Sequence, residues 1–380
     1  MLLILNSLRR KLLRVSLLIS LSWLYMLFGG VPWIAGLLYG LKPAVAAMAL
    51  QAVTRIAGRT LKKPTEAPIL WVLAAFSFIA ISFLKVPFPW VILAAAGVGW
   101  LRRRWLPGQV GKGLVVALPN ISHRDAPVDA PVVATHVIDD ATPAPDHARF
   151  KPTRLVRVLL AGAVLWLVPM WVLLAWQGWS ATLTQMGWFF TKAALLTFGG
   201  AYAVLPYVVQ GGVDHYHWLS MAQMMDGLAL GETTPGPLIM VVAYVGFLGG
   251  WQQQVLGPES LFLGATLAAL VVTWFTFLPS FIFILAGGPL VESTHGKLQF
   301  TAPLTAITAA VVGVIASLAL FFVVHVAYPA GTDTALASGL DGFAVGLVLL
   351  ATLALVRYRV AVLTVMAACA LAGLAWRWVV

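Results

Sequence analysis

The sequence predicts an all-α, polytopic transmembrane helical bundle of about 11 spans, and the composition and the length of the apolar stretches both support this fold class. Hydrophobic residues make up 61% of the 380 positions and charged residues only 10%, whereas soluble domains are about 25% charged. Apolar stretches close to the roughly 20 residues that cross a bilayer recur along most of the chain. The 16 Trp and 8 Tyr residues are also typical, because such rings anchor helix ends at the membrane interface.

The predicted spans differ in length, and several are shorter than a full bilayer crossing. The first span follows a basic stretch, as the apolar part of a signal peptide does. No cleavage site of small residues follows it, and it leads directly into another span, so we interpret it as a transmembrane helix. The apolar segments cover residues 15–30, 41–57, 69–84, 86–101, 158–176, 181–209, 221–249, 262–286, 303–326, 340–356 and 360–377.

Basic residues cluster at the ends of these spans, which indicates membrane topology. The formal net charge is +11, which in a soluble chain would favour nucleic-acid binding. In a membrane protein Lys and Arg are instead enriched in cytoplasmic loops, so the clustered ends are predicted to be cytoplasmic. The clusters are Arg9, Arg10, Lys11 and Arg14; Arg55, Arg59, Lys62 and Lys63; Arg102, Arg103 and Arg104; Arg154 and Arg157; and Arg357 and Arg359.

Residues 106–153 are predicted to form a cytoplasmic linker, because Pro, Ala and Asp are frequent there and basic clusters flank the segment. His123, His136 and His147 stand among the aspartates of this linker. Their wide spacing in a Pro-rich stretch favours solvated residues of a flexible connector over a metal site. The linker divides the chain into an incomplete first transmembrane half at 1–105 and a second transmembrane half at 154–380.

The two halves are similar to each other in sequence. The stretch "LFGGVPWIAGLLYGLKPAVAAMALQAV" (27–53) aligns with "LAGGPLVESTHGKLQFTAPLTAITAAVVGVI" (285–315), so that Pro43 corresponds to Pro303. The basic cluster follows the aligned span directly in the first half but comes one span later in the second half. The corresponding spans are therefore predicted to run in opposite directions. Inverted repeats of this kind are characteristic of secondary transporters.

The same alignment predicts a missing part. The second half continues upstream through two further apolar segments, 181–210 and 221–250. The first half has no counterpart to these segments, because its aligned span lies close to Met1. The alignment therefore predicts that an N-terminal portion of the first half is absent.

The decapeptide "GETTPGPLIM" (231–240) predicts a break in the helix. Pro235 and Pro237 lack backbone N–H groups, and Gly236 between them is flexible, so a continuous helix is improbable. A half-helix is expected to start near Pro237, with Thr233 or Thr234 supplying the oxygen that caps it. The free N–H groups and the helix dipole would then favour an anion. The alternative is a proline kink that binds no ligand.

Two carboxylates lie next to this break. An acidic residue at the centre of a span costs roughly 2.5–3.5 kcal/mol, so such residues are usually retained for transport or proton coupling. Glu232, beside the break, is a candidate proton carrier. For Asp226 a functional role and a plain interfacial position remain equally open.

A second break is expected at Gly199 and Gly200, because paired glycines in mid-span permit bending or close helix approach. Lys192 lies two turns earlier, and Lys42 precedes Pro43 in the first half. Either lysine would attract an anion or extend its side chain to the interface. No metal site and no disulfide framework are expected, because Cys369 is the single cysteine. The remaining histidines lack metal-ligand spacing; they are His215, His217, His295 and His325.

The stretches "TFGGAYAVLPYV" and "WLSMAQMMDGLALGETTPGPLIMVVAYVGFLGG" (218–250) closely resemble the second half of the chromate ion transporter (CHR) family. The resemblance implies export of the chromate dianion across the bacterial inner membrane, driven by an ion gradient, with sulfate as a similar anion. The first half lacks the Phe-Gly-Gly and Pro-Gly-Pro motifs of that family, which agrees with the missing part. The motif positions that carry over are Phe198, Gly199, Gly200, Asp226, Glu232, Thr233, Pro235, Gly236 and Pro237.

The leading functional hypothesis is therefore a secondary transporter that exports chromate or a sulfate-like oxyanion. One alternative is a truncated and inactive protein, or a half-transporter that needs a partner. An intramembrane enzyme is the least favoured, because it would need a nucleophile, a base or a metal set facing one cavity. The expected partners are the oxyanion and membrane lipid, without nucleic acid or a cofactor, and a homodimer remains open.

Overall fold

The computed structural model describes residues 2–61, 67–105, 152–197, 201–234, 237–293, 301–329 and 339–379. Among these residues all regular structure is helical. The predicted linker lies outside the described residues as far as position 151. The helices are α1 (Leu2–Phe28), α2 (Pro32–Thr60), α3 (Pro68–Ser82), α4 (Phe88–Trp105), α5 (Pro152–Gln177), α6 (Thr182–Leu195), α7 (Ala201–Val209), α8 (Met221–Thr233), α9 (Val241–Gln252), α10 (Leu261–Ser293), α11 (Thr301–Ala327), α12 (Gly342–Val356) and α13 (Val362–Val379).

The helices confirm a multi-pass, all-α membrane protein. Four apolar helical segments are long enough to cross a bilayer, namely Pro32–Thr60, Pro152–Gln177, Pro258–Gly287 and Pro303–Ala327, and shorter apolar helices accompany them. Large apolar side chains remain exposed on the outer helices, such as Trp171 on α5, at 68%. An exposed apolar surface of this extent suits lipid and not water.

Two hydrogen bonds show that α2 and α12 run in the same direction. The Tyr39 hydroxyl donates to Asp341 Oδ2 at 2.6 Å, near the start of both helices. The Gln51 amide donates to the Leu355 carbonyl at 3.2 Å, near the end of both. The ends of α2 and α12, with their basic residues Arg55 and Arg357, therefore lie at one end of the bundle, which we call the basic end. The other end is called the far end.

Helix α11 runs in the opposite direction to α2. The Asp341 N–H donates to the Ala327 carbonyl at 3.0 Å, so α11 ends at the far end, where α12 begins. The α12–α13 pair packs against α2, and the α3–α4 pair packs against α11. This exchange of partners, together with the opposed directions of α2 and α11, is what an inverted repeat pairing Pro43 with Pro303 requires. The repeat itself remains a prediction.

Helices α2 and α13 approach each other closely and run antiparallel. A Cβ atom added at Gly40 would collide with the Cys369 carbonyl, and one added at Gly373 would collide with the Gly40 backbone. A Cβ atom at Gly36 would lie 3.6 Å from Arg377 Cβ. Small residues let two helix backbones approach in this way. The close packing places Arg377 beside the start of α2.

Helices α8 and α9 form an antiparallel hairpin, which we call hairpin 2. The Gln252 amide donates to Gln223 Oε1 at 2.8 Å, and this bond joins the start of α8 to the end of α9. Near the turn, a Cβ atom at Gly231 would lie 3.5 Å from Val241 Cβ. The two helices have 13 and 12 residues, or roughly 20 Å each, which is less than the bilayer core of about 30 Å.

Helices α6 and α7 form a second hairpin, called hairpin 1. The Phe189 ring of α6 stacks on the Tyr207 ring of α7, with ring centroids 4.5 Å apart. A Cβ atom at Gly211, just beyond α7, would collide with the same Phe189 ring. The return of α7 along α6 places the turn of hairpin 1 between Leu195 and Ala201.

Both hairpins open at the far end, and their turns point toward the basic end. Helix α11 starts at the basic end, and α10 ends only eight positions before it, so α10 runs from the far end to the basic end. Helix α9 precedes α10 in the chain and therefore ends at the far end. The sequence predicts single spans at 181–209 and 221–249, each with a break in the middle. The structure corrects this interpretation, because in each case the break is the turn of a hairpin.

The core of the bundle surrounds hairpin 2. Every residue from Val241 to Gly250 is buried, and α9 packs against α1, α6, α8 and α10. A helix that is apolar on all sides is expected only inside a large core or in a membrane. Helix α9 of hairpin 2 is therefore a central helix of the bundle.

Candidate functional site

The turn of hairpin 2 contains the break that the prolines predict. Helix α8 ends at Thr233, Thr234 has an extended backbone, and a 3-10 turn covers Leu238–Met240. The prediction that Thr233 or Thr234 caps the following helix is wrong. Their hydroxyls donate to the Leu230 and Gly231 carbonyls of α8, both at 2.8 Å, and the 3-10 turn has no side-chain cap. The reason is that the last carbonyls of a helix also lack partners.

The turn of hairpin 2 lies against α7, the second helix of hairpin 1. The 3-10 turn that follows Pro237 packs against α7, and the hydroxyl of Tyr202 on α7 donates to Glu232. The remaining predicted positions of the two turns lie outside the described residues. These positions are Phe198, Gly199 and Gly200 in hairpin 1 and Pro235 and Gly236 in hairpin 2.

Asp226 points away from Glu232, to a different set of neighbours. It is only 3% exposed, so it is a buried carboxylate. The Tyr25 hydroxyl of α1 donates to its Oδ2 at 2.9 Å, and Lys42 Nζ of α2 lies 3.8 Å from its Oδ1. No hydrogen-bond donor within the described residues reaches Oδ1. The two acids are six positions apart, a helical rise of about 9 Å with a turn of about 240° between them.

Asp226 and Lys42 line a cavity of about 580 Å³. Helices α1, α2 and α8, the start of α12 and the end of α13 enclose it. Because α12 starts and α13 ends at the far end, the cavity lies toward that end of the bundle. The lining residues are Tyr25, Gly29, Ala35, Leu38, Tyr39, Lys42, Asp226, Asp341, Trp376 and Arg377.

The charged side chains of the cavity differ in how many hydrogen bonds and ion pairs they form within the protein. Both oxygens of Asp341 accept hydrogen bonds, from the Tyr39 hydroxyl at 2.6 Å and the Ala344 N–H at 2.9 Å. The second of these bonds caps α12. Arg377 forms no ion pair in the part of the chain that the structure describes, where the Lys42–Asp226 contact is the one ion pair found. The cavity thus holds two cations, neither hydrogen-bonded to a carboxylate.

Four of these residues have no feature in the sequence that predicts a place in a functional site. Asp341 precedes an apolar segment and resembles an ordinary helix cap, and Arg377 resembles a basic residue at the end of the chain. Tyr25 and Tyr39 carry no signal in one sequence, because tyrosines are frequent near membrane interfaces. Only the packing of α1, α2, α12 and α13 brings the four together.

Lys192 does not join the cavity. It lies in the last turn of α6, and its Nζ stands 5.7 Å from the centre of the Trp188 ring. This contact and its half-buried side chain match the alternative in which the lysine stem covers apolar surface. Within the described residues, no group of three or more His, Cys, Asp or Glu side chains is close enough to hold a metal ion.

Comparison with known proteins identifies the family. The model of the chromate transporter family matches residues 12–100 and 184–374. The protein belongs to the chromate transporter family. The matched residues of this family member include Lys42, both hairpins and Arg357. They end just before Trp376 and Arg377, the last two residues of the cavity lining.

Curated relatives agree with this assignment. A chromate transport protein of Cupriavidus metallidurans is 25% identical over 304 residues, which are 79% of this chain and 59% of the relative. A chromate transport protein of Pseudomonas aeruginosa is 31% identical over 303 residues, which are 79% of this chain and 58% of that relative. The aligned part is therefore less than two thirds of either transporter's length. No solved structure matches the chain.

Proposed function

We propose that the protein is a secondary transporter that exports chromate, or a similar tetrahedral oxyanion such as sulfate, across the bacterial inner membrane. The observation that carries the proposal is the family match, which covers α2 and both hairpins. Two of the relatives that the chain aligns with are named chromate transport proteins. An ion gradient is proposed as the energy source, because no nucleotide-binding motif occurs in the sequence.

The meeting point of the two hairpin turns is the proposed transport path. Irregular backbone at membrane depth is tolerated only where protein surrounds it or where it lines a polar cavity. In the described part of the hairpin 2 turn, Thr234 and Pro237 have extended backbones, so this stretch is not helical and is suited to line a path. The residues proposed to line the path are Phe198, Gly199, Gly200, Thr233, Thr234, Pro235, Gly236 and Pro237.

Glu232 is the proposed proton carrier of this path. Its described partner is the neutral hydroxyl of Tyr202, and no Lys or Arg nitrogen of the described residues lies within 4.0 Å of it. A carboxylate without a close cation in a membrane protein is costly when charged. Loss of that charge by protonation, and its return on the other side, would couple anion export to proton entry.

Membrane vesicles with the cytoplasmic face outward test the proposal. We expect vesicles that contain the protein to accumulate chromate when an ion gradient is imposed, and we expect excess sulfate to reduce the accumulation. Chromate recovered from the vesicles should still be Cr(VI), which separates transport from enzymatic reduction. Accumulation equal to that of vesicles without the protein would contradict the proposed function.

A further inference from the structure

We propose that the cavity at the far end is an oxyanion-binding site, in which Lys42 and Arg377 together hold a divalent tetrahedral oxyanion. The proposal rests on the oxyanion transport proposed above and adds a site distinct from the hairpin turns. The far end is predicted to be periplasmic, because it is opposite the basic end. An exporter would release its anion from a site at this end.

Two cationic side chains from different helices, Lys42 of α2 and Arg377 of α13, line this cavity. Lys42 Nζ stands 3.8 Å from Asp226 Oδ1, which is beyond hydrogen-bond distance, so its donors are not used by that carboxylate. Arg377 has five N–H donors in a planar fork that matches the oxygens of such anions, and it has no ion pair among the described residues. The close packing of α2 on α13 at Gly40 and Gly373 holds the two cations on one cavity.

The two carboxylates of the cavity differ in how many of their oxygens accept a hydrogen bond. Asp341 has both oxygens hydrogen-bonded within the protein, so it is a fixed part of the wall. Asp226 has one oxygen without a hydrogen bond, and the residue is only 3% exposed. Asp226 therefore competes with a bound anion for Lys42. A site for a transported ion must hold it weakly enough to release it, and this competition weakens the binding.

The cavity has the size and the wall that the anion needs. Its volume of about 580 Å³ holds an oxyanion with several waters, since one water occupies about 30 Å³ in the liquid. One wall is a stack of three rings, with Tyr39 6.3 Å from Phe343 and Phe343 4.3 Å from Trp376. In this stack Tyr39 also donates its hydroxyl to Asp341, so the rings and the carboxylate form one continuous wall.

Equilibrium binding to the purified full chain in detergent tests the site, with radiolabelled sulfate and with chromate as probes. We expect Lys42→Gln and Arg377→Gln each to weaken binding roughly tenfold or more, because each removes charged hydrogen-bond donors. We expect Asp226→Asn to strengthen binding severalfold, because Lys42 loses its competitor. The matched controls are Lys85→Gln and Asp214→Asn, which remove charges at the far end outside the cavity lining. Both controls should bind as the wild type does.

A labelling experiment gives a second measurement that does not depend on the charge variants. Cys369 is the single cysteine, so a Cys369→Ser background with Ala35→Cys carries one thiol in the cavity lining. We expect a membrane-impermeant thiol reagent to label it in intact cells, and sulfate to slow the labelling. Lys42→Arg, which keeps the charge, should preserve binding if Lys42→Gln fails to fold.

The outcomes separate this site from the proposed function. Sulfate binding that is equal in the wild type, Lys42→Gln and Arg377→Gln overturns the site, even when vesicles transport chromate. Binding that follows the expected pattern in a protein that transports no chromate supports the site and contradicts the function. Weaker binding in Asp226→Asn than in Asp214→Asn would also overturn the proposed competition.

Discussion

The turns of the hairpins and the cavity at the far end differ in how the sequence marks them. The turns carry dense motifs of Gly, Pro and Thr, whereas the residues that line the cavity are far apart in the chain. One helix, α8, serves both, because Glu232 faces α7 and Asp226 faces α1 and α2. A continuous motif in the sequence therefore need not form a single site, because residues on different faces of one helix contact different neighbouring helices.

The partners of the two carboxylates also differ. Glu232 accepts a hydrogen bond from a neutral tyrosine, and Asp226 combines a tyrosine with a lysine 3.8 Å away. The proposed function uses Glu232 as the proton carrier. The proposed site uses Asp226 as the group that competes with the anion for Lys42. The following four predictions test this division of roles, from the largest expected effect to the smallest.

The first prediction concerns Glu232→Gln. We expect gradient-driven chromate accumulation in vesicles to fall roughly tenfold or more, within the range typical of coupling between two ligands, because the variant cannot carry a proton. Sulfate binding in the cavity should remain within about twofold of the wild type, since Glu232 lies outside the lining. Glu259→Gln, which changes an acid in a 3-10 turn at the far end, is the control. Full accumulation by Glu232→Gln would remove it as the proton carrier.

The second prediction concerns Gly40→Ala. The added Cβ would collide with the Cys369 carbonyl, so α2 and α13 must separate, which costs about 2 kcal/mol and lowers the melting temperature by about 2–3 °C. The separation also moves Lys42 from Arg377 and should weaken sulfate binding. A thiol-reactive dye measures the melting, because Cys369 is buried. Gly346→Ala on α12, where a Cβ meets open space, should keep the melting temperature and the sulfate binding of the wild type. If Gly40→Ala gave the same values as Gly346→Ala, the packing of α2 on α13 would not be tight.

The third prediction compares two tyrosines. Tyr25→Phe leaves Asp226 without its hydroxyl donor, so the carboxylate should bind Lys42 more closely and weaken sulfate binding severalfold. Tyr202→Phe should leave sulfate binding unchanged and reduce chromate accumulation, because only Glu232 loses a partner. A hydrogen bond to a charged group contributes about 1.5–3 kcal/mol. Only part of this free energy should appear as a change in binding or transport, because each carboxylate keeps other contacts. If both variants changed the same property, the two regions would act as one site.

The fourth prediction concerns Thr233→Ala and Thr234→Ala. Both hydroxyls donate to the last carbonyls of α8, so each change should cost only about 1 kcal/mol of stability. Chromate accumulation should fall by about threefold, because the proposed path loses one hydroxyl, and sulfate binding in the cavity should remain unchanged, because neither threonine lines it. Full accumulation by both variants would remove the two threonines from the proposed path.

Much of the fold could be predicted from residues 1–380 alone. The composition predicts a membrane bundle, because water would not tolerate so much apolar surface. Pro235, Gly236 and Pro237 predict a break, because proline removes a backbone donor at its own position. The cost of burying a carboxylate indicates Glu232 and Asp226 as candidates. Each inference depends on the properties of single residues or of short stretches, and no knowledge of their neighbours is needed.

The tertiary structure alone decided the remaining features. A break in an apolar segment permits a kinked span or a hairpin equally well, and the choice follows from how Phe189 packs on Tyr207 and how Gln252 bonds to Gln223. The Asp226–Lys42 pair and the position of Arg377 in the same cavity depend on which helices are neighbours. No local pattern contains this information, because packing joins residues that are far apart in the chain.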